Sequence, residues 1–221
     1  MRIYSKKVVK GSDFLSLAIL AFGGLGLEVV LAFLIEPFIY GSAIRMWSTA
    51  QNIIHWSLTC MLWGGVSYLL IENARIKLDF DIFQESRKMH IWQWIAVVIS
   101  IVFMIVVSYI EWDGFKVVKE FNHNGLIKFI FQYIYYFFET MLFTLIIVFG
   151  QKACECWFHY KNIPYGGIVV ALTWGIAHIF TKSISTGIYS ALGGFIFGLM
   201  YLLVNRDIRK TFIILFIVFV M

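Results

Sequence analysis

The sequence predicts an all-α integral membrane protein, a polytopic bundle of about six transmembrane helices plus a short C-terminal apolar segment, in one transmembrane domain over residues 1–221. Three observations carry that expectation. Hydrophobic residues make up 61% of the chain and charged residues only 14%, against roughly 25% charged in ordinary soluble domains. The mean hydropathy is +0.82. Long apolar runs recur along the chain, and about 20 such residues cross the roughly 30 Å of bilayer hydrocarbon. A soluble core of this size does not need so much apolar residue; a lipid solvent does. With two prolines and no Gly/Ser-rich linker, a single domain is the simplest organisation.

The spans follow in order. Phe14 to Tyr40 is the first, interrupted by Glu28 and Glu36. The basic stretch Met1 to Lys10 before it looks like the head of a signal peptide. The apolar run behind it is too long, however, and no small-residue cleavage site precedes the next charges, so it reads as a first span that stays. Trp47 to Ile71 is the second and carries His55 and Cys60; Ile91 to Ile110 is the third and has no charge. Leu126 to Gly150 is the fourth, with Glu139 near its middle. Tyr165 to Val204 is too long for one span and predicts a hairpin of two, broken where Lys, Ser, Thr and Gly cluster at Lys182 to Gly187. After Lys210 the apolar run to Met221 reaches only about half-way across the core at 1.5 Å per residue.

Loop cations set the orientation. With the N-terminus in the cytoplasm, Arg45, Lys116, Lys119, Lys128 and Lys182 fall outside, and the other 13 of the 18 Lys and Arg residues, among them Arg2, Lys6 and Lys7, fall inside. The expected location is therefore the cell membrane, multi-pass and N-in. Trp47, Trp92, Trp94, Trp112 and Trp157 sit near span ends as an aromatic belt does, and the loop Glu72 to His90 reads as an amphipathic segment along the cytoplasmic interface. The net charge of +5 is accounted for by these loops, so the expected partner is the lipid bilayer and not nucleic acid. Cys154 and Cys156 are too close on one helix for the usual zinc spacing.

An ionisable group at bilayer depth costs about 2.5–3.5 kcal/mol on insertion scales and is usually turned inward with a partner. Glu139 is the clearest case, sharing a helix face with Gln132, Tyr136 and Phe143. It is either a carboxylate in a wet cavity or a structural Glu bonding two helices. His178 shares a face with Trp174, Thr181 and Lys182 on the next helix, where an antiparallel neighbour brings the two within reach. A Glu and a His together hold a water and take its proton, or form half of a site for a divalent metal such as zinc. Glu28, His55, Glu36 and Glu155 read as structural or interfacial groups, with Glu28 and His55 able to pair. The Gly194/Gly198 step, a small-xxx-small pattern, reads as close helix packing.

Residues 126–204 resemble the CPBP family of intramembrane proteases, also known as the CAAX protease and bacteriocin-processing or Abi family. Its first motif, E-E-x-x-x-R, corresponds to Glu139-Thr140-Met141-Leu142-Phe143-Thr144, with Thr140 and Thr144 at the second Glu and the Arg. Its second motif, F-x-x-x-H, corresponds to Trp174-Gly175-Ile176-Ala177-His178, with Trp for Phe, and Phe195 to Leu203 resembles the glycine-bearing helix that follows. The third motif, H-x-x-x-N/D, has no counterpart in Thr211 to Met221; a continuation past Met221 bearing His and Asn would supply it. The resemblance implies Glu139 as general base and His178 as its partner or metal ligand, acting on a membrane-associated peptide or prenylated protein. Three functions stay open. One is a degenerate, non-catalytic relative in bacteriocin immunity or membrane-protein processing. The others are an active intramembrane endopeptidase using Glu139 and His178, and a small transporter or transporter subunit relaying protons through them.

Overall fold

The computed structural model describes residues 9–84 and 86–221; Arg2, Lys6 and Lys7, which contribute to the expected topology, lie outside the described residues. Among the described residues all regular structure is helical, with no strand. The helices are α1 (Gly11–Tyr40), α2 (Thr49–Leu78), α3 (Ile91–Glu111), α4 (Lys116–Phe158), α5 (Tyr165–Thr181), α6 (Ile184–Leu203) and α7 (Ile208–Val220). Five of them, α1 to α4 and α6, are long and apolar enough to cross a membrane, whereas α5 and α7 are shorter. The expected break is present at Lys182 and Ser183, inside the predicted window, but of the two helices it separates only α6 is long and apolar enough to cross a membrane. The loop expected from Glu72 to His90 begins later, because α2 continues to Leu78.

Local chemistry sets the ends. Ser48 caps α2 by accepting from the Gln51 N–H, and the Gln51 side chain accepts from the Ser48 N–H; together these satisfy two donors the helix leaves open. Ser183 caps α6 through the Thr186 N–H. Gly41, at φ +64°, closes α1 in the left-handed conformation. The outer surface is apolar, with Phe38, Phe180 and Ile91 more than four-fifths exposed, as expected where the solvent is hydrocarbon.

Three irregularities place the polar groups. Each of two π turns, Leu31–Ile35 in α1 and Ala171–Gly175 in α5, adds a residue to its turn. Residues eight apart on an α-helix point about 80° apart, and one inserted residue removes about 100° of that, so they return to nearly one face. Glu28 and Glu36 bracket the first π turn, and both reach His55. Gly167 and Gly175 bracket the second, and both lie against the α6 backbone. The third irregularity is Gly125 in α4, at φ +68° and ψ 172°. It turns the chain so that 116–124 folds back along the start of 126–158, the stretch in which the fourth span was expected. Only a residue without Cβ takes that conformation cheaply.

One end of the bundle is held by charged and amide groups. The Arg206 guanidinium donates to Glu155 Oε1 at 2.9 Å, and Gln93 Nε2 donates to the Leu203 carbonyl and to Asn205 Oδ1. Asp207 caps α7 through the N–H groups of Arg209 and Lys210, and Lys210 Nζ and the Ser86 hydroxyl donate to its carboxylate at 2.6 and 2.8 Å. Partial burial alone would raise the Asp207 carboxyl, but the Lys210 ammonium, the Lys210 N–H and the Ser86 hydroxyl outweigh it and hold it down at about 2. Its folded value lies below its unfolded value, so this stabilisation is complete above about pH 4 and is lost as pH falls toward the folded value. The thermal midpoint of the wild type in detergent should therefore fall more steeply than that of Asp207→Asn on acidification from pH 5 to pH 2; parallel curves would count against it.

Candidate functional site

A cavity of about 680 Å³ lies toward the opposite end, bounded by α2 to α7. On α4, Gln132, Tyr136 and Glu139 all line it, as the i, i+4, i+7 spacing requires. On α5, Trp174 and His178 line it, followed by Lys182 at the turn. The structure thus brings Glu139 and His178, the two site residues expected from sequence, to the wall of one cavity.

They do not bond to each other among the described residues. The His178 Nδ1–H donates to the Trp174 carbonyl at 2.9 Å, which leaves Nε2 as the free nitrogen of the neutral ring, and the centres of the Trp174 and His178 rings are 4.1 Å apart. Four charged side chains are close enough to act on Glu139: Glu28, Lys116, Lys182 and Glu120. Two carboxylates and two ammonium groups therefore surround it, and their effects on its charge oppose one another. Phe143, the fourth residue of the expected α4 face, packs edge-on against Trp174 at 5.0 Å and supports the wall from behind.

Lys116 and Glu120 are site residues that sequence reasoning missed: it counted Lys116 as an ordinary loop cation and did not single out Glu120. Both lie on the folded-back 116–124 segment. Glu120 is 6% exposed and its Oε1 accepts from the Tyr136 hydroxyl at 2.5 Å and from Gln132 Nε2 at 3.1 Å. Its Oε2 is buried without a protein partner. Asn124 donates to Gln132 Oε1 at 2.6 Å. Lys116 Nζ donates to the Phe219 carbonyl at 2.7 Å and lies 4.3 Å from the Tyr136 ring centre, a cation placed where the α7 dipole favours one. The i, i+4 spacing of Lys116, Glu120 and Asn124 was the available signal; the turn at Gly125 that gives it meaning was not.

Thr140 and Thr144, which the sequence resemblance sets at the second Glu and the Arg of its first motif, are not in the cavity wall. Thr140 and Thr144 are buried and donate back to the carbonyls of Tyr136 and Thr140 on their own helix. Helix α7 contributes only Val218 and Phe219. Among the described residues no group of three or more His, Cys, Asp or Glu side chains is arranged to hold a metal ion. Glu139 and His178 supply two ligands at most, short of the three protein ligands of a catalytic zinc site, so the residues present do not fit such a metal.

A second polar cluster lies beside the cavity. His55 Nδ1 and Glu36 Oε2 are 2.5 Å apart, and His55 Nε2 is 3.6 Å from Glu28 Oε1. Glu36 and His55 are 1% and 2% exposed; the π turn rotates Glu36 inward. No protein-family model, curated protein or solved structure matches the chain.

Proposed function

We propose that this protein is a degenerate, non-catalytic relative of the CPBP intramembrane endopeptidases. It spans the cell membrane about six times with its N-terminus in the cytoplasm, and binds a membrane-associated peptide or prenylated protein in the Glu139 cavity, in bacteriocin immunity or membrane-protein processing. The orientation rests on the excess of Lys and Arg at the end held by Asp207 and Arg206. One observation carries the non-catalytic reading. Glu139 and His178 line a cavity together, yet Thr140 and Thr144 are spent on their own helix and α7 offers only apolar side chains to it. A base and an imidazole are present without donors from the third motif to stabilise a tetrahedral oxyanion, and each such donor is commonly worth about 2.7–4 kcal/mol. Lys116 and Lys182 instead suit a ligand that carries a carboxylate, while Trp112, Trp174 and Phe219 suit an apolar chain.

The second reading, an active endopeptidase, is favoured by the same shared cavity. One experiment separates them. A fluorescent farnesylated peptide with a free C-terminal carboxylate is added to the protein in nanodiscs, and anisotropy and mass spectrometry are read together. The expected result is binding that weakens at least tenfold in Lys182→Ala and Lys116→Ala, with the peptide intact. Cleavage abolished by both Glu139→Ala and His178→Ala would install the endopeptidase, and no binding to the wild type would reject both readings.

A further inference from the structure

The cluster of Glu28, His55 and Glu36 is separate from the cavity wall, and the function proposed above does not use it. It is assembled by the π turn Leu31–Ile35, which sets two glutamates eight residues apart on the α1 face that meets α2. His55 lies between them, with Trp47 across its ring at 5.4 Å and Tyr40 edge-on to Trp47. A structural ion pair needs one carboxylate; this site has two, on either ring nitrogen. Glu36 also carries an oxygen, Oε1, that is buried with no protein partner.

We propose that Glu28, His55 and Glu36 form a buried proton-binding site, coupled through Tyr135 to the charge of Glu139 in the cavity. Two carboxylates around a neutral imidazole would put two uncompensated negative charges on the cluster, that of Glu36 enclosed and that of Glu28 30% exposed. One proton on the ring leaves a single net charge and two ion pairs, and a second proton, on a carboxylate, leaves none. The site therefore exchanges protons as a unit, and its apparent titration steps belong to the cluster and not to any one residue. Glu36 Oε1 is the position at which a second proton is held without breaking the contact to His55 Nδ1.

The groups facing His55 of α2 come from two elements. Helix α1 presents Glu28, Glu36 and, at its end, Tyr40. Helix α4 presents Tyr135, whose hydroxyl faces Glu28, and Glu139, on which Glu28 acts directly. Lys128 of α4 stands 6.0 Å from the ring of Trp56, the neighbour of His55 in α2. Tyr135 and Trp56 also line the cavity, so a change of charge at Glu28 is felt at the cavity wall across a single side chain. Acidification adds positive charge to the cluster and makes the cavity less favourable for a cationic group beside Glu139.

The test is nitrogen-15 NMR of histidine-labelled protein in nanodiscs between pH 4 and pH 10, with the His55 signal assigned by its loss in His55→Asn. The expected result is a ring doubly protonated at pH 7, with a midpoint at least one pH unit above that of free histidine. Glu36→Gln should lower that midpoint by one unit or more. Glu28→Gln should lower it by less, and Glu139→Gln should move it by several tenths of a unit. A neutral His55 ring in the wild type at pH 7 would overturn the proton site without reference to any variant. A midpoint unchanged in Glu139→Gln, with the proton site present, would overturn the coupling to the cavity. If Glu36→Gln does not fold, the wild-type titration and the Glu28→Gln and Glu139→Gln shifts still decide the matter.

Discussion

Gly198→Val is expected to be among the most destabilising single substitutions in this protein, costing about 3 kcal/mol or more and abolishing a cooperative unfolding transition at physiological temperature. A Cβ at position 198 would stand 2.4 Å from the Gly167 nitrogen and 2.5 Å from its Cα, and a Cβ at 167 would meet the Phe195 and Gly194 carbonyls at 2.7 and 2.8 Å. The atoms in the way are backbone, so no rotamer change relieves the contact and α5 must move away from α6. In lipid there is no hydrophobic force to restore the pair, because acyl chains solvate apolar side chains as well as a neighbouring helix does; close backbone approach supplies the van der Waals contact instead. Overpacking a well-filled interior costs about 1–3 kcal/mol and sometimes more. The measurement is unfolding in mixed dodecylmaltoside–SDS micelles. Gly23→Ala and Gly26→Ala, where a Cβ meets nothing within 4 Å, serve as helix controls and should be neutral or mildly stabilising. Equal behaviour of Gly198→Val and these controls would mean that α5 and α6 are not packed backbone to backbone. The displacement should also widen the cavity, since Trp174 and His178 travel with α5.

His55→Ala carries the second large effect, a loss of about 3–5 kcal/mol at neutral pH. Glu36 is 1% exposed and His55 2% exposed; removing the ring leaves a carboxylate enclosed with no counter-charge, and breaking a buried pair from one side usually costs that much. Glu36→Gln removes the uncompensated charge, so the double variant His55→Ala with Glu36→Gln should be more stable than His55→Ala alone at pH 8. A double variant no more stable than His55→Ala would mean that packing around Trp47 and the ring, not charge, accounts for the loss.

The periodicity and length of the apolar runs made the helices legible. They placed the break between α5 and α6 and the start of the main α4 helix just past Gly125, because a bilayer demands unbroken apolar length and self-satisfied backbone. The lining face of α4 was legible too, since Gln132, Tyr136 and Glu139 follow a helical repeat that needs no tertiary information. Lys116 and Glu120 were not legible as site residues. Their meaning depends on a left-handed glycine at 125, and a glycine in a sequence does not declare its φ. The meeting of Glu36 with His55 was not legible for a related reason: helical counting places Glu36 well off the face of Glu28, and only the π turn between them restores the alignment.

What the sequence determined by itself is the class and the inventory: an apolar chain in helices, five of them long and apolar enough to cross a membrane, with a handful of ionisable groups that are costly at bilayer depth. Which of those groups meet was decided by the tertiary structure. Helix register accumulates about 100° per residue, so one inserted residue in a π turn or one reversal at a glycine reassigns every side chain beyond it. Those events sit below the resolution of residue type. They placed His55 between two glutamates, brought Lys116 to the cavity beside Tyr136, and put Glu139 and His178 on one wall without a bond between them.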